Sequence, residues 1–269
     1  MSGFSAEWLA LRESYDLRAR NPMVLDSVAA SFKSLDAISV VDLACGAGST
    51  VRALSSRLPA RQRWDLVDND QRLLMVACSG STVSHIKLNA VQLDLGGNFD
   101  VVLDGAPDLI TASALLDLVS ETWLDRLAHH SAAQALPVYA ALIYDGRIAL
   151  SPADPLDGAI ASAVNAHQRT DKGFGPALGP LAAAAAISRF EALGYSVMHG
   201  TSDWEIGTVD HEIQVELLDG WATAATEMKA LPRCDIDDWL VRRKKAVSER
   251  ASTMRVGHVD FFATPRITR

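Results

Sequence analysis

Apolar side chains between Ser5 and Phe32 recur at helical spacing. Trp8, Leu11 and Tyr15 mark one helix over about Ser5 to Arg20, and Val24, Val28 and Phe32 mark a second. The second opens on Asn21-Pro22, a side chain that can accept the first free amides of a helix and a ring whose fixed φ suits its first turn. From Ile38 the pattern changes to short β-rich runs. Ile38 to Leu43 and Arg63 to Val67 alternate with helical stretches that run to Leu58 and through Cys78. Alternation of strand and helix predicts a parallel sheet with helices on both faces, because parallel strands need a crossover between them.

Two segments compete for the fourth strand, Phe99 to Leu103 and Leu109 to Ser113. The second is favoured because it leads into Leu115, Leu116, Val119, Trp123 and Leu127, an amphipathic helix, which leaves Phe99 to Asp104 as a short crossover helix. Leu136 to Tyr144 is an apolar run of the kind buried on both faces, and Asp145-Gly146 is read as the turn that ends it. A helix ending near His167 follows. Then comes a loop, Gln168 to Pro180, with three glycines and two prolines, before a helix over Leu181 to Leu193 whose five consecutive alanines pack rather than dangle. Tyr195 to Ile206 reads as a strand, Val209 to Met228 and Asp235 to Met254 as helices, and Gly257 to Ala263 as the last strand.

Composition narrows the picture. The chain has 269 residues, 49% hydrophobic and 22% charged, enough apolar surface for a sizeable core. Its 25 Lys and Arg against 33 Asp and Glu give a net charge of -8, which repels a polyphosphate backbone and argues against nucleic acid. No apolar run approaches the ~20 residues of a membrane helix. Glu7, Arg12, Glu13 and Asp16 interrupt the start of the chain where a leader needs an apolar stretch, so a cytoplasmic protein is expected. Cys45, Cys78 and Cys234 form no C-x-x-C, so neither a disulfide framework nor a metal site is expected. One domain over 1–269 is expected: a helical lead-in over 1–35, a ligand-binding core over 36–150, and a substrate loop with the remaining strands and helices over 151–269.

The strongest chemical signal is Val40-Val41-Asp42-Leu43-Ala44-Cys45-Gly46-Ala47-Gly48-Ser49-Thr50, an apolar strand ending in an acid, then G-x-G, then a helix start. Glycines there permit a tight turn and let backbone amides approach a ligand. Asp68 ends the next strand, twenty residues beyond Gly48, where a dinucleotide fold keeps the carboxylate for its ribose. The third glycine of G-x-G-x-x-G is missing, however, and Val51 stands in its place. An acid just before the glycines suits an ammonium group better than a diphosphate.

These residues resemble the class I S-adenosylmethionine-dependent methyltransferases, whose first motif is an acid followed by x-x-x-G-x-G, met here by Asp42, Gly46 and Gly48. The resemblance covers roughly Ile38 to Tyr144. It implies an α/β fold, a Rossmann-like doubly wound sheet, mostly parallel with one antiparallel strand, here carrying N-terminal helices and a helical insertion near the C-terminus. It also implies S-adenosyl-L-methionine as cofactor. By that resemblance Asp42, Ala44, Gly46 and Gly48 hold the methionine part, Asp68 the ribose hydroxyls, and Asp94, after the run Ala90 to Leu93, the adenine amino group. The end of the fourth strand, with Thr111 and Ala112, faces the sulfonium, although the family often carries Asn or Asp where this chain has Ala112-Ser113.

The function expected on this reading is methyl transfer to a small polar molecule, anionic ones included. Arg147, His167, Arg169 and Lys172 concentrate positive charge around the long loop and are expected to bind that acceptor, with the loop closing over it. A base is needed only for a protonated acceptor, and Tyr144, Asp145 and His167 are the candidates. Two other classes compete: a dinucleotide-dependent oxidoreductase, opposed by Val51 and Asp42, and a non-catalytic protein that binds the cofactor alone.

Overall fold

The computed structural model describes residues 5–79 and 85–266. Helices α1 (Ala6–Ala19) and α2 (Pro22–Phe32) start where side chains supply the missing acceptors: the Trp8 amide donates to Ser5 Oγ at 3.1 Å, and Asn21 Oδ1 accepts the Met23 and Val24 amides. The chain then alternates through β1 (Ala37–Leu43), α3 (Ser49–Leu54), β2 (Arg61–Asp68), α4 (Gln71–Ser79), β3 (Ile86–Gln92), β4 (Leu109–Ser113), α5 (Glu121–Ala133) and β5 (Val138–Ser151). After α6 (Asp157–Gln168) and α7 (Ala182–Ala192) come β6 (Tyr195–Thr201), β7 (Trp204–Ile206), α8 (His211–Glu227), α9 (Arg233–Ser248) and β8 (Thr253–Pro265).

The strands form one sheet in the order β3-β2-β1-β4-β5-β8-β6, with β7 also pairing β8. β1 to β5 are parallel, and β8 runs antiparallel to β5, β6 and β7. The doubly wound sheet with one antiparallel strand is therefore present, and α8 and α9 are the helical insertion. Leu109 to Ser113 is the fourth strand, and Asp100–Val102 is a 3-10 turn in the crossover before it.

Four boundaries differ from the pattern reading. Asp145-Gly146 does not end the fifth strand: the register against β8 shifts between Tyr144 and Ile148, and pairing resumes to Ser151. Such a bulge absorbs the turn-forming residues without breaking the ladder. The helix after β4 begins only at Glu121, because Ala114 takes a left-handed φ of 51° and Ser120 caps the helix that follows. Tyr195 to Ile206 is two strands, β6 and β7, both on β8. The last helix stops at Ser248 and the last strand starts at Thr253, so α9 is shorter and β8 longer than the apolar pattern indicates.

Apolar side chains bury in three clusters. One holds α5 and α7 against the sheet, another α2, α3 and α4 against its opposite face, and the third joins α1, α6, α8 and α9 around β7 and β8. The last of these places α1 across the carboxyl ends of the central strands. Among the described residues no helix is long and apolar enough to cross a membrane.

Candidate functional site

β1 runs in register with β4 through Asp42 opposite Thr111 and Leu43 opposite Ala112. Beyond Leu43 the backbone turns through Ala44, Gly46 and Gly48, all left-handed, with φ of 53°, 52° and 83°. Glycine adopts that region freely, whereas Ala44 does so against its own Cβ, at a cost of about 1 kcal/mol. The loop is tied from within: the Cys45 amide donates to the Val67 carbonyl at 3.0 Å, and the Gly48 amide to the Cys45 carbonyl at 2.9 Å. Asp68 Oδ2 accepts the Gly46 amide at 2.9 Å and its Oδ1 the Asp70 amide at 3.0 Å. Helix α4 is capped by Asp70 instead, which accepts the Arg72 amide. A Cβ on Gly46 would lie 3.3 Å from Leu9 on α1, and one on Gly48 3.1 Å from Ala77 on α4, so the loop is enclosed between two helices.

Beside this loop lies a buried polar row. Asp42 is fully buried, its Oδ1 accepts the Thr111 hydroxyl at 2.7 Å, and its Oδ2 has no partner. Burial pushes its carboxyl up to about 7, opposed by the Thr111 hydroxyl and the Arg20 guanidinium. Arg20, the last residue of the α1 turn, donates to Tyr139 Oη at 3.1 Å and Ser113 Oγ at 3.0 Å, while its Nε has no partner. Ser113 also meets the Thr50 hydroxyl at 3.0 Å, and Asp260 on β8 accepts the amides of Asn21 and Leu142. A buried carboxylate and a buried guanidinium thus each keep one atom unsatisfied. Buried charges are costly unless paired, so such atoms mark a place where a ligand completes the set.

Further buried polar groups lie in the connection after β4 and on β8. Asp117 is 5% exposed, and its Oδ1 has no partner. Burial pushes its carboxyl up to about 6, against backbone amides at Asp117 and Tyr144. His258 stands opposite Tyr144 in the β5/β8 ladder, with ring centroids 6.2 Å apart, and Trp204 packs on its other side at 5.2 Å. Burial drives the His258 imidazole down to about 3, and its Nδ1 is unpartnered. Arg12 on α1 lies 5.0 Å over the Trp204 ring and is paired with Asp16, which also accepts the Trp204 Nε1–H at 3.1 Å.

The basic residues around the loop are largely engaged by the fold. Arg147 is held by Asp145 and, through two hydrogen bonds of 3.0 and 2.7 Å, by Asp203. His167 Nε2 lies 2.9 Å from Glu227 on α8, and Lys172 donates to the Thr170 hydroxyl at 3.0 Å. Arg169 is exposed. The loop itself is laced to the β4–α5 connection: the Leu178 amide donates to the Val119 carbonyl, the Gly179 amide to the Asp117 carbonyl, and Phe174 packs on Trp123 with centroids 6.0 Å apart. Asp94 is exposed, and its Oδ1 accepts the Gly96 amide at 2.9 Å. Tyr144 Oη donates to Asn165 at 2.7 Å. Among the described residues, no group of three or more His, Cys, Asp or Glu is placed to hold a metal ion.

The structure brings together the glycine loop, Asp42, Asp68 and Thr111, which pattern reading singled out, and shows buried polar groups at Arg20, Asp117, His258 and Asp260, which it did not. Arg20 carries no local signal, because its partner Tyr139 is 119 positions away and only the packing of α1 brings them together. Asp117 does have one: it is a lone acid in the apolar run Leu115 to Val119.

No family model matches the sequence, and no curated protein matches it. Among solved structures, it is similar to a cyclopropane-fatty-acyl-phospholipid synthase-like protein of Lactobacillus casei ATCC 334. The TM-score is 0.55 at 13% identity, over 97% of this chain and 94% of that one. It is also similar to the YcgJ protein of Bacillus subtilis, with a TM-score of 0.50 at 14% identity over 91% and 99% of the two chains. At such identities the likeness establishes the shared Rossmann-like fold.

Proposed function

We propose that this chain is an enzyme that transfers a methyl group from S-adenosyl-L-methionine to a small polar acceptor. The observation that carries the reading is the pair of unsatisfied buried atoms, Asp42 Oδ2 and Arg20 Nε, beside the glycine loop. A ligand with both an ammonium and a carboxylate, as at the end of an amino acid, answers both. The loop backbone seats it, and Asp68 and Asp94 offer acceptors for ribose hydroxyls and an adenine amino group from the ends of β2 and β3. When bound, the cofactor supplies a methyl group already activated by its sulfonium, so the chain's work is positioning and the exclusion of water. Leu9 on α1 lies against the loop, and the end of β4, with Thr111 and Ala112, is read as facing the reacting end.

Arg147, which suggested an anionic acceptor, is neutralised by Asp145 and Asp203, and His167 is hydrogen-bonded to Glu227, so the acceptor is read as polar and not anionic. A cytosolic setting accords with three free cysteines, one of them buried. An oxidoreductase using a dinucleotide fits less well, because Val51 replaces the glycine that lets a helix approach the diphosphate and Asp42 would face that anion. Calorimetric titration with S-adenosylhomocysteine and with NAD tests the reading. Binding of the first that is lost in Asp42→Asn is expected, and binding of NAD alone would overturn it. Turnover with a labelled methyl donor separates the enzyme from a protein that binds the cofactor alone.

A further inference from the structure

We propose that the cleft at the amino ends of β1, β2 and β3 binds a small organic phosphate in its dianionic form. The cleft holds about 440 Å³, inside the range of about 300–1,000 Å³ usual for small-ligand sites. Arg61, Arg63 and Lys87 line it together with Ser39, His85 and Asp108. Arg61 and Arg63 stand two apart on β2, and Lys87 lies opposite Arg63 in the parallel register of β2 and β3, so all three leave the same face of the sheet. Like charges set opposite on neighbouring strands repel, and the fold gains nothing from placing them together. The relief within the chain is partial. Arg63 donates from one nitrogen to both oxygens of Asp65, at 3.3 and 3.1 Å, whereas Arg61 reaches only the Asp36 carbonyl at 3.4 Å. Among the described residues neither Arg61 nor Lys87 forms an ion pair, and residues 80–84, which precede His85, include no acid. Asp108 is the one acid among the described lining residues, and its Oδ2 is turned to the amide and hydroxyl of Ser39 at 2.7 and 2.8 Å. In a chain of net charge -8 the cleft is a local excess of positive charge.

The sheet face itself changes character along its length. Where β1 and β2 meet the cluster under α5 and α7 they present Val41 and Val67, and toward their amino ends the same face carries Ser39, Arg63 and Arg61. A face that is apolar under helices and basic beyond them is suited to a charged ligand over its open end. Neighbouring strands lie about 4.8 Å apart and alternate residues about 6.6 Å apart along a strand, so the three cations start from the corners of a triangle. A phosphate dianion spreads its charge over three oxygens that such a triangle can meet together. A carboxylate has two oxygens and one charge, which the fork of a single arginine already matches. The cleft is larger than a phosphate group and leaves room for an organic part beside Ala37. A long polyphosphate chain fits less well, because its further charges would meet a protein of net charge -8. Seven residues of β2, about 23 Å, separate Arg61 from Asp68, so the cleft stands apart from the glycine loop and does not depend on the methyl-transfer reading.

Phenyl phosphate and benzoate are the probes, titrated calorimetrically at about pH 8, where a phosphate ester carries close to two charges. Salt at about 150 mM brings the Debye length to about 8 Å and screens attraction from distant charges. Phenyl phosphate is expected to bind with a Kd below about 1 mM, and benzoate about fivefold more weakly or worse. Arg61→Gln combined with Lys87→Gln should weaken phenyl phosphate binding by about fivefold or more, with a smaller loss in each single variant. Both positions are exposed, so the double variant should keep its fold, read by circular dichroism. Lys33→Gln, which removes an exposed cation at the end of α2, should leave the affinity unchanged. A Kd above about 1 mM for the wild-type protein, or benzoate binding closer than about fivefold, overturns the proposal. So does a smaller loss than about fivefold in the folded double variant, or an equal loss in Lys33→Gln.

Discussion

Asp68 Oδ2 accepts the Gly46 amide at 2.9 Å, so the carboxylate that ends β2 holds the loop that follows β1. Its other oxygen accepts the Asp70 amide. This side chain therefore shapes the loop as well as having the ligand role proposed for it. Asp68→Ala frees two part-buried amides, and since a fully buried unsatisfied donor costs about 1 to 3 kcal/mol, each is expected to cost about 1 kcal/mol. The variant should lose stability in urea denaturation and lose affinity for S-adenosylhomocysteine together. A loss of affinity with unchanged stability would show that the loop keeps its form without the carboxylate.

Asp42 is pushed up to about 7 by burial, well above its unfolded value of 3.8. Its protonated form therefore favours the fold. That contribution is complete below pH 3.8 and is lost as pH rises through about 7. Asp42→Asn, which mimics the neutral acid, should melt higher than wild type at pH 8, with the difference shrinking toward pH 4. A lower melting temperature at pH 8 would contradict the assignment. Wild-type affinity for S-adenosylhomocysteine should fall below pH 7, because an ammonium ligand needs the ionised carboxylate.

Ala44 holds a left-handed φ of 53° that an L side chain resists. Ala44→Gly should raise stability by up to about 1 kcal/mol, the strain relieved at such a position less the entropy glycine adds to the unfolded chain. Affinity for S-adenosylhomocysteine should hold or improve. Destabilisation by more than about 0.5 kcal/mol would mean that the alanine methyl packs more than it strains.

Arg20 is a buried cation whose charge faces Asp260 and Asp16. Arg20→Met leaves those acids without it, and breaking a buried charge set of this kind costs about 3 kcal/mol or more. The variant should unfold at markedly lower denaturant and bind S-adenosylhomocysteine weakly even where it is folded. Retained affinity would remove Arg20 from the ligand's carboxylate and leave it a structural role.

Arg169 is exposed, and Lys172 is half-buried and donates to the Thr170 hydroxyl. Arg169→Ala and Lys172→Ala should leave S-adenosylhomocysteine binding within about 0.5 kcal/mol of wild type, as substitutions away from a buried network do. Phe174→Ala, which removes the contact with Trp123, should loosen the loop and raise its rate of amide exchange. Equal exchange in the two proteins would mean that the backbone bonds to Val119 and Asp117 suffice to hold it.

Local pattern was enough for the parallel core, the glycine loop and most helices. Each depends on nearest neighbours in sequence: the period of apolar positions, the Asn21-Pro22 start, and the glycines that bend β1 into α3. The choice of Leu109 to Ser113 as the fourth strand was legible for the same reason, since a buried strand is a short unbroken apolar run. What the tertiary structure alone decided was which polar atoms meet. Asp145-Gly146 is a turn sequence, yet β8 continues the ladder past it, because pairing with a strand more than a hundred residues away outweighs a local turn preference. Arg147 and His167 look available wherever they are read, but the acids that engage them, Asp203 and Glu227, arrive from β7's approach and α8. Arg20, Asp117 and His258 gain their meaning from burial, and burial is a property of the assembled chain: a polar atom costs nothing to leave unpaired until packing has taken away its water.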